Sequence, residues 1–201
     1  MSKLLQINSS IFSDQGVSSQ LANRFVADWL ARHPGTEVVR RDLAQDPIPH
    51  MDGECFTALM TPAEQRSPEQ ARLVALADQL IRELQEADVL VLGAPMYNFA
   101  IPSQLKAWFD RITRAGVTFR YTENGSEGLL AGKRAFVFTS RGGLHRGQPQ
   151  DTIAPLVQQL LNFVGIRDIE FVYAEGLNLG EQPRQAALAE AEARIQSLLA
   201  A

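Results

Sequence analysis

The chain has 201 residues, 45% hydrophobic and 21% charged, with 14 Gly and 10 Pro, which fits one ordinary globular domain over residues 1–201 and excludes collagen-like, low-complexity and disordered classes. Nineteen basic and 23 acidic residues give a net charge of −4 with no basic stripe, so nucleic acid is not an expected partner. The longest apolar stretch, residues 89–96, is far short of the ~20 needed to span a bilayer, no secretion signal is visible, and a lone Cys55 makes neither an internal disulfide nor a zinc site; a cytoplasmic protein without membrane insertion is expected.

Apolar, partly β-branched runs at residues 4–7, 38–39, 89–92, 135–138 and 169–172 alternate with helical patterns, the signature of an α/β fold. Residues 18–32 and 68–85 read as amphipathic helices, through Leu21, Phe25 and Trp29 in the first and Leu73, Leu80 and Leu84 in the second. A third helix is expected from Pro102 to a stop near Gly116, a fourth from Ile153 to a stop at Gly165, and a last through Leu188, Ala191, Ile195 and Leu198. Residues 89–92, Val-Leu-Val-Leu, suit a strand covered on both faces and residues 37–42 suit an edge, which gives a five-stranded parallel sheet of order 2-1-3-4-5 with helices on both faces. Residues 46–67, rich in Pro and turn formers, are expected to wander over the surface. Residues 117–128, with alternating Val117, Phe119 and Tyr121, are expected to form an extended excursion outside the core.

Ligands of such sheets bind beyond the carboxyl ends of the strands, near the point where strand order reverses. The first strand runs into a loop, residues 8–19, with Ser9, Ser10, Gly16, Ser18 and Ser19 ahead of a helix. Hydroxyls and N–H groups at a helix N-terminus hold a phosphate without Lys or Arg; the plainer alternative is that Ser18 or Ser19 is an N-cap. After the third strand come Pro95, Met96, Tyr97, Asn98 and Phe99. There the aromatic rings suit a flat heterocycle and the amide its polar edge, or the rings simply pack. After the fourth come Ser140, Arg141, Gly142, Gly143 and His145, where paired glycines permit close backbone approach or merely a tight turn. Neither dinucleotide nor Walker fingerprint is present.

The segments Ala94-Pro-Met-Tyr-Asn-Phe99, Arg114-Ala-Gly-Val-Thr-Phe-Arg-Tyr-Thr-Glu-Asn-Gly125 and Thr139-Ser-Arg-Gly-Gly143 resemble those of the FMN-dependent NADH-azoreductase family, flavodoxin-like reductases of quinones and azo dyes, and the resemblance runs the length of the chain. It implies non-covalent FMN, its phosphate held by Ser10, Gly16, Val17 and Ser18, its ring lying along Met96 to Phe99, and its pyrimidine edge meeting Ser140 to Gly143. The family often carries a hydroxyl residue where this chain has Gly16, which implies a backbone contact there. It also implies a homodimer, with Tyr121 and Phe163 helping to wall the pocket.

The flavin would carry the chemistry, taking hydride from NADH or NADPH and passing it to quinones or azo compounds, so no catalytic dyad is expected. Negative charge near N1 of the reduced ring would meet the N–H groups of Gly142 and Gly143 or a protonated His145. No Gly-x-Ser-x-Gly elbow is present, and His33, His50 and His145 are scattered without ligand spacing, so neither hydrolase nor metal chemistry is expected. The rival reading is a flavodoxin-type carrier passing single electrons between proteins; residues 46–67 and 117–128 are the additions an enzyme would use for a substrate pocket.

Overall fold

A computed structural model describes residues 2–200. Strands β1 (Lys3–Asn8), β2 (Glu37–Asp42), β3 (Val89–Gly93), β6 (Arg134–Ser140) and β7 (Asp168–Ala174) form one sheet, and β4 (Phe119–Thr122) and β5 (Gly125–Gly128) a separate hairpin. The sheet order is β2-β1-β3-β6-β7 and every pairing is parallel. Counting only sheet strands, this is the expected 2-1-3-4-5. Order reverses between β1 and β3, where Asn8 lies opposite Gly93 at the carboxyl ends.

Strand periodicity divides the core into two layers. Leu5, Ile7, Leu90, Leu92 and Val137 face α3 (Pro68–Glu86), α4 (Ser103–Ile112) and α5 (Ile153–Val164). Leu4, Val89, Val91, Phe136 and Phe138 face α1 (Val17–Arg32) and α6 (Glu181–Ala200). Phe25 of α1 anchors the second layer, its ring 4.4 Å from Phe136 and 5.3 Å from Phe138. Among the described residues no helix is long and apolar enough to cross a membrane.

Local chemistry sets the helix ends. Ser67 and Gln70 form a reciprocal capping box around Pro68 at the start of α3. Gly165, at φ 104°, ends α5 in the left-handed region. The third helix stops at Ile112 instead of Gly116 because the buried Thr118 hydroxyl donates to the Ile112 carbonyl at 2.7 Å and accepts from the Arg114 N–H at 2.9 Å. That hydroxyl satisfies a terminal carbonyl and turns the chain out of the helix. Pro102 sits at the N-cap instead of inside the first turn.

Residues 46–67 do not simply wander. They contain α2 (Gly53–Met60), started by the Asp52 carboxylate accepting from the Cys55 N–H at 2.8 Å, and they bury Ile48, Cys55 and Ala58. Burial pushes the Cys55 thiol up from its ordinary value, opposed by the neighbouring Arg111 guanidinium, so it remains a neutral packing group.

The excursion is an antiparallel hairpin, β4 against β5. It is seated on α5 by a glycine-to-glycine contact: a Cβ on Gly128 would lie 2.1 Å from the Gly165 nitrogen, and the Leu130 N–H donates to the Val164 carbonyl at 2.8 Å. Phe119 tucks under it, with its ring 4.4 Å from Phe163.

Candidate active site

The loop between β1 and α1 is braced from below. Asn23 of α1 accepts from the Gln6 and Asn8 amides at 2.5 and 3.2 Å and donates to Asp14 at 3.0 Å, while Ser9 Oγ donates to the Gly93 carbonyl at 2.6 Å. These bonds fix the loop to the switch point. Above them, α1 begins at Gly16 without any side-chain cap, so neither Ser18 nor Ser19 is the N-cap. The N–H groups of Val17, Ser18 and Ser19 donate to no protein acceptor among the described residues. The hydroxyls of Ser18 and Ser19 are fully buried and unpartnered. Unpaired buried polar groups are costly, and here several stand together at the positive end of a helix, where they suit an anion.

Gly16 is backbone only: its N–H donates to the Ser13 carbonyl at 3.2 Å, and a Cβ there would lie 2.0 Å from Ser10 Oγ. Ser10 Oγ in turn sits 3.0 Å from the Tyr97 hydroxyl and accepts from the Phe12 N–H at 3.2 Å, joining this loop to the one after β3.

That second loop is a two-residue reversal. The Tyr97 and Ala100 N–H groups donate to each other's carbonyls at 2.9 and 3.0 Å, with Asn98 and Phe99 at its tip at φ 49° and 63°. Left-handed backbone is costly for a bulky side chain. Here the surroundings impose it: Met96 N–H donates to the Ser140 carbonyl at 2.9 Å, and the Thr152 hydroxyl donates to the Phe99 carbonyl. The turn holds the Phe99 ring out, 58% exposed, with its neighbour His145 set edge-on at 5.7 Å. An exposed aromatic on a strained, braced turn is a platform for a flat ligand.

The loop after β6 divides its labour. The Gly142 and Gly143 carbonyls accept from Asn178 and Gly176 N–H groups at 3.0 and 2.9 Å, while their own N–H groups find no acceptor among the described residues. Arg141 contributes to this loop in a different way. Its side chain is 0% exposed, turned away into an ion cluster with Asp151 at 2.7 Å and Glu175 at 3.3 Å and lying over the Tyr173 ring at 5.1 Å. It lends the cavity backbone and not a guanidinium, because two flanking carboxylates capture the charge. Glu175 also accepts from the His145 and Arg146 N–H groups, each at 2.8 Å, so the cluster fixes the loop's path. Burial pushes the Tyr173 phenol above its ordinary 10.0, with Asp151 adding to the rise and Arg141 and Arg146 opposing it.

A cavity of about 290 Å³ joins Ser10, Gly16, Val17, Pro95, Met96, Tyr97, Ser140, Arg141 and Gly142. Ser18, Asn98, Phe99, Gly143 and His145 are outside its lining but stand on the same three loops. The sequence reading missed Phe12, Gln15, Leu177, Asn178 and Arg184, which complete the wall. The last three follow β7, another carboxyl end at the same edge, and for Leu177 and Asn178, on the connecting loop, position alone could have nominated them. Tyr121 and Phe163 are not brought to this cavity within one chain. Tyr121 projects from the hairpin, 76% exposed, and Phe163 borders a shallow depression beside Ser126 and Asn162.

Residues 2–199 match the family model described as flavodoxin-like fold. The chain is 52% identical over 201 residues, all of both chains, to an FMN-dependent NADH:quinone oxidoreductase of Cellvibrio japonicus (strain Ueda107). It is 52% identical over 195 residues to another from Azotobacter vinelandii (strain DJ / ATCC BAA-1303), covering 97% of this chain and 98% of that one. The chain belongs to the FMN-dependent NADH:quinone oxidoreductase family. Among solved structures it is similar to an azoreductase from Bacillus anthracis str. Sterne, at TM-score 0.91 and 27% identity over 99% of both chains. An FMN-dependent NADH-azoreductase from Bacillus anthracis str. Ames Ancestor, in complex with FMN, superposes at TM-score 0.87 and 26% identity, covering 99% of this chain and 100% of that one. Both structures share the overall fold described above.

Proposed function

We propose that this protein is a single-domain FMN-dependent oxidoreductase, working as a homodimer, that transfers hydride from NADH to quinones and to azo compounds by a ping-pong mechanism. The observation that carries this reading is the set of unpaired donors at Val17, Ser18 and Ser19 on the same crevice as the aromatic turn. The donors fit a terminal phosphate monoester and the turn fits a flat ring, which together describe a mononucleotide of FMN's shape. Names of the relatives support FMN and NADH.

When bound, FMN supplies acceptance and return of hydride. The chain's own residues bind and orient it. Val17, Ser18 and Ser19 offer N–H groups to the phosphate, Ser10 holds Tyr97 in place, and Met96 to Phe99 lie along the ring. The free N–H groups of Gly142 and Gly143 aid its pyrimidine edge, where they favour negative charge. His145 stays packed against Phe99 and presents its ring to whatever stacks there.

Reductant and acceptor share one face, because the sequence has no second nucleotide motif; each leaves before the other binds. A second copy of the chain supplies Phe163, and with it Tyr121, to finish a pocket for flat, mostly apolar acceptors. Quinones are reduced faster than azo compounds, since azo cleavage to two amines needs two hydride deliveries per molecule.

The test is to load the purified protein with FMN and assay NADH and NADPH with a quinone and an azo dye. Flavin absorbance, parallel double-reciprocal lines and a dimer on sedimentation are expected. A protein that takes up no flavin overturns the assignment, intersecting lines overturn the shared face, and an active monomer at micromolar concentration overturns the dimer. A one-electron carrier would give no NADH:quinone turnover unless a partner protein were added.

A further inference from the structure

Residues 8–19 contain no Lys or Arg and carry one carboxylate, Asp14, so the anion-binding loop has donors but no cation. A phosphate monoester bears a charge between −1.5 and −2 at pH 7 by its second pKa of about 6, whereas a helix N-terminus offers about half a positive charge. Most of that charge is uncompensated on the α1 wall.

The opposite wall holds the missing counter-charge. Arg184 lines the same cavity as Ser10, Gln15, Gly16 and Val17. It is half-buried in the first turn of α6, with its N–H donating to the Gly180 carbonyl at 3.1 Å. Its guanidinium makes no ion pair and no side-chain hydrogen bond among the described residues; Glu181 in the same turn accepts from Gln185 at 2.8 Å instead. The other arginine on this cavity, Arg141, is held by two carboxylates. A half-buried arginine on the same small cavity as the start of α1, its guanidinium without a partner among the described residues, is a fork suited to phosphate oxygens.

We propose that Arg184 recognises the phosphate of FMN and makes the site select FMN over riboflavin, closing the β7–α6 wall onto the α1 wall. The proposal rests on the FMN reading above.

The test measures dissociation constants of FMN and riboflavin for the apoprotein, by quenching of flavin fluorescence, at low and high salt. Arg184→Gln is expected to weaken FMN about tenfold to a hundredfold, to leave riboflavin within about twofold, and to flatten the salt dependence of FMN binding. Arg184→Lys should fall between, since it keeps the charge and loses the fork. Equal losses for both flavins would make Arg184 a packing residue and overturn the proposal. So would an unchanged FMN constant with a raised KM for NADH in the FMN-loaded variant, which would assign the guanidinium to the reductant's diphosphate. A wild-type protein that binds neither flavin would overturn the FMN reading itself, and this proposal with it.

Discussion

The two walls of the cavity treat their polar side chains in opposite ways. On the β6–β7 side, the Arg141 guanidinium meets Asp151 and Glu175, and Glu175 also takes two backbone N–H groups. On the α1 side, three N–H groups and two buried hydroxyls have no partner among the described residues. Gly142 and Gly143 keep free N–H groups on the first wall too, but its charged side chains are paired: a paired network stiffens a loop and keeps its charge from a ligand, whereas buried groups without partners cost stability until a ligand arrives. The contrast separates scaffold from binding surface among residues that sequence alone places side by side.

The largest effect should come from breaking the satisfied wall. Arg141→Met leaves Asp151 and Glu175 without their shared cation and should lower unfolding stability by about 3–5 kcal/mol in urea titration. A loss below about 1 kcal/mol would mean that the cluster behaves as a wet surface pair. Ser18→Ala does the reverse. Apoprotein stability should hold or rise, because an orphan hydroxyl is removed, while FMN affinity falls about tenfold. Loss of apoprotein stability without loss of affinity would move Ser18 into the scaffold.

Phe99→Ala should lower acceptor turnover about fivefold to tenfold, the scale of an aromatic contact, with a smaller change in FMN retention. If the variant sheds FMN yet reacts normally once refilled, Phe99 packs the cofactor and not the acceptor.

The smallest effect is alkaline. Tyr173 has a folded pKa raised above 10.0, so its contribution to stability is intact below pH 10 and is lost as pH rises through the folded value. Phenolate absorbance should show a late-titrating component that Tyr173→Phe removes, and the same substitution should flatten the alkaline fall in stability. A variant with an unchanged alkaline limb would remove Tyr173 from the linkage.

The sheet was legible because strands covered on both faces must be continuously apolar, as residues 89–92 are, and because strand order follows from which run is least apolar. The three loops after β1, β3 and β6 were legible because glycine, hydroxyl and aromatic residues there have few reasons to cluster beyond binding or turning. The burial of the Arg141 guanidinium was not legible, because its partners, Asp151 and Glu175, lie 10 and 34 residues away and only the fold brings them in. Arg184 was invisible for the complementary reason. On a helix whose exposed face carries many charges, nothing in the sequence distinguishes the one that reaches the cavity. α2 was hidden by the prolines and turn residues around its eight positions. The stop of α4 depended on a hydroxyl six residues on.

The seating of the β4–β5 hairpin on glycine backbone has an engineering consequence. Gly128 and Gly165 meet without side chains, and the outward positions of the hairpin, Arg120, Tyr121, Thr122 and Ser126, are exposed. The hairpin is therefore docked by its frame and by Phe119 and decorated by its outward side chains, and the two sets are separable. A library randomised at those four positions should preserve folding in most members, whereas any residue larger than glycine at 128 forces the backbone apart. The hairpin is thus an interchangeable cassette, whose outward face can be recast while the flavodoxin-like framework stays as it is.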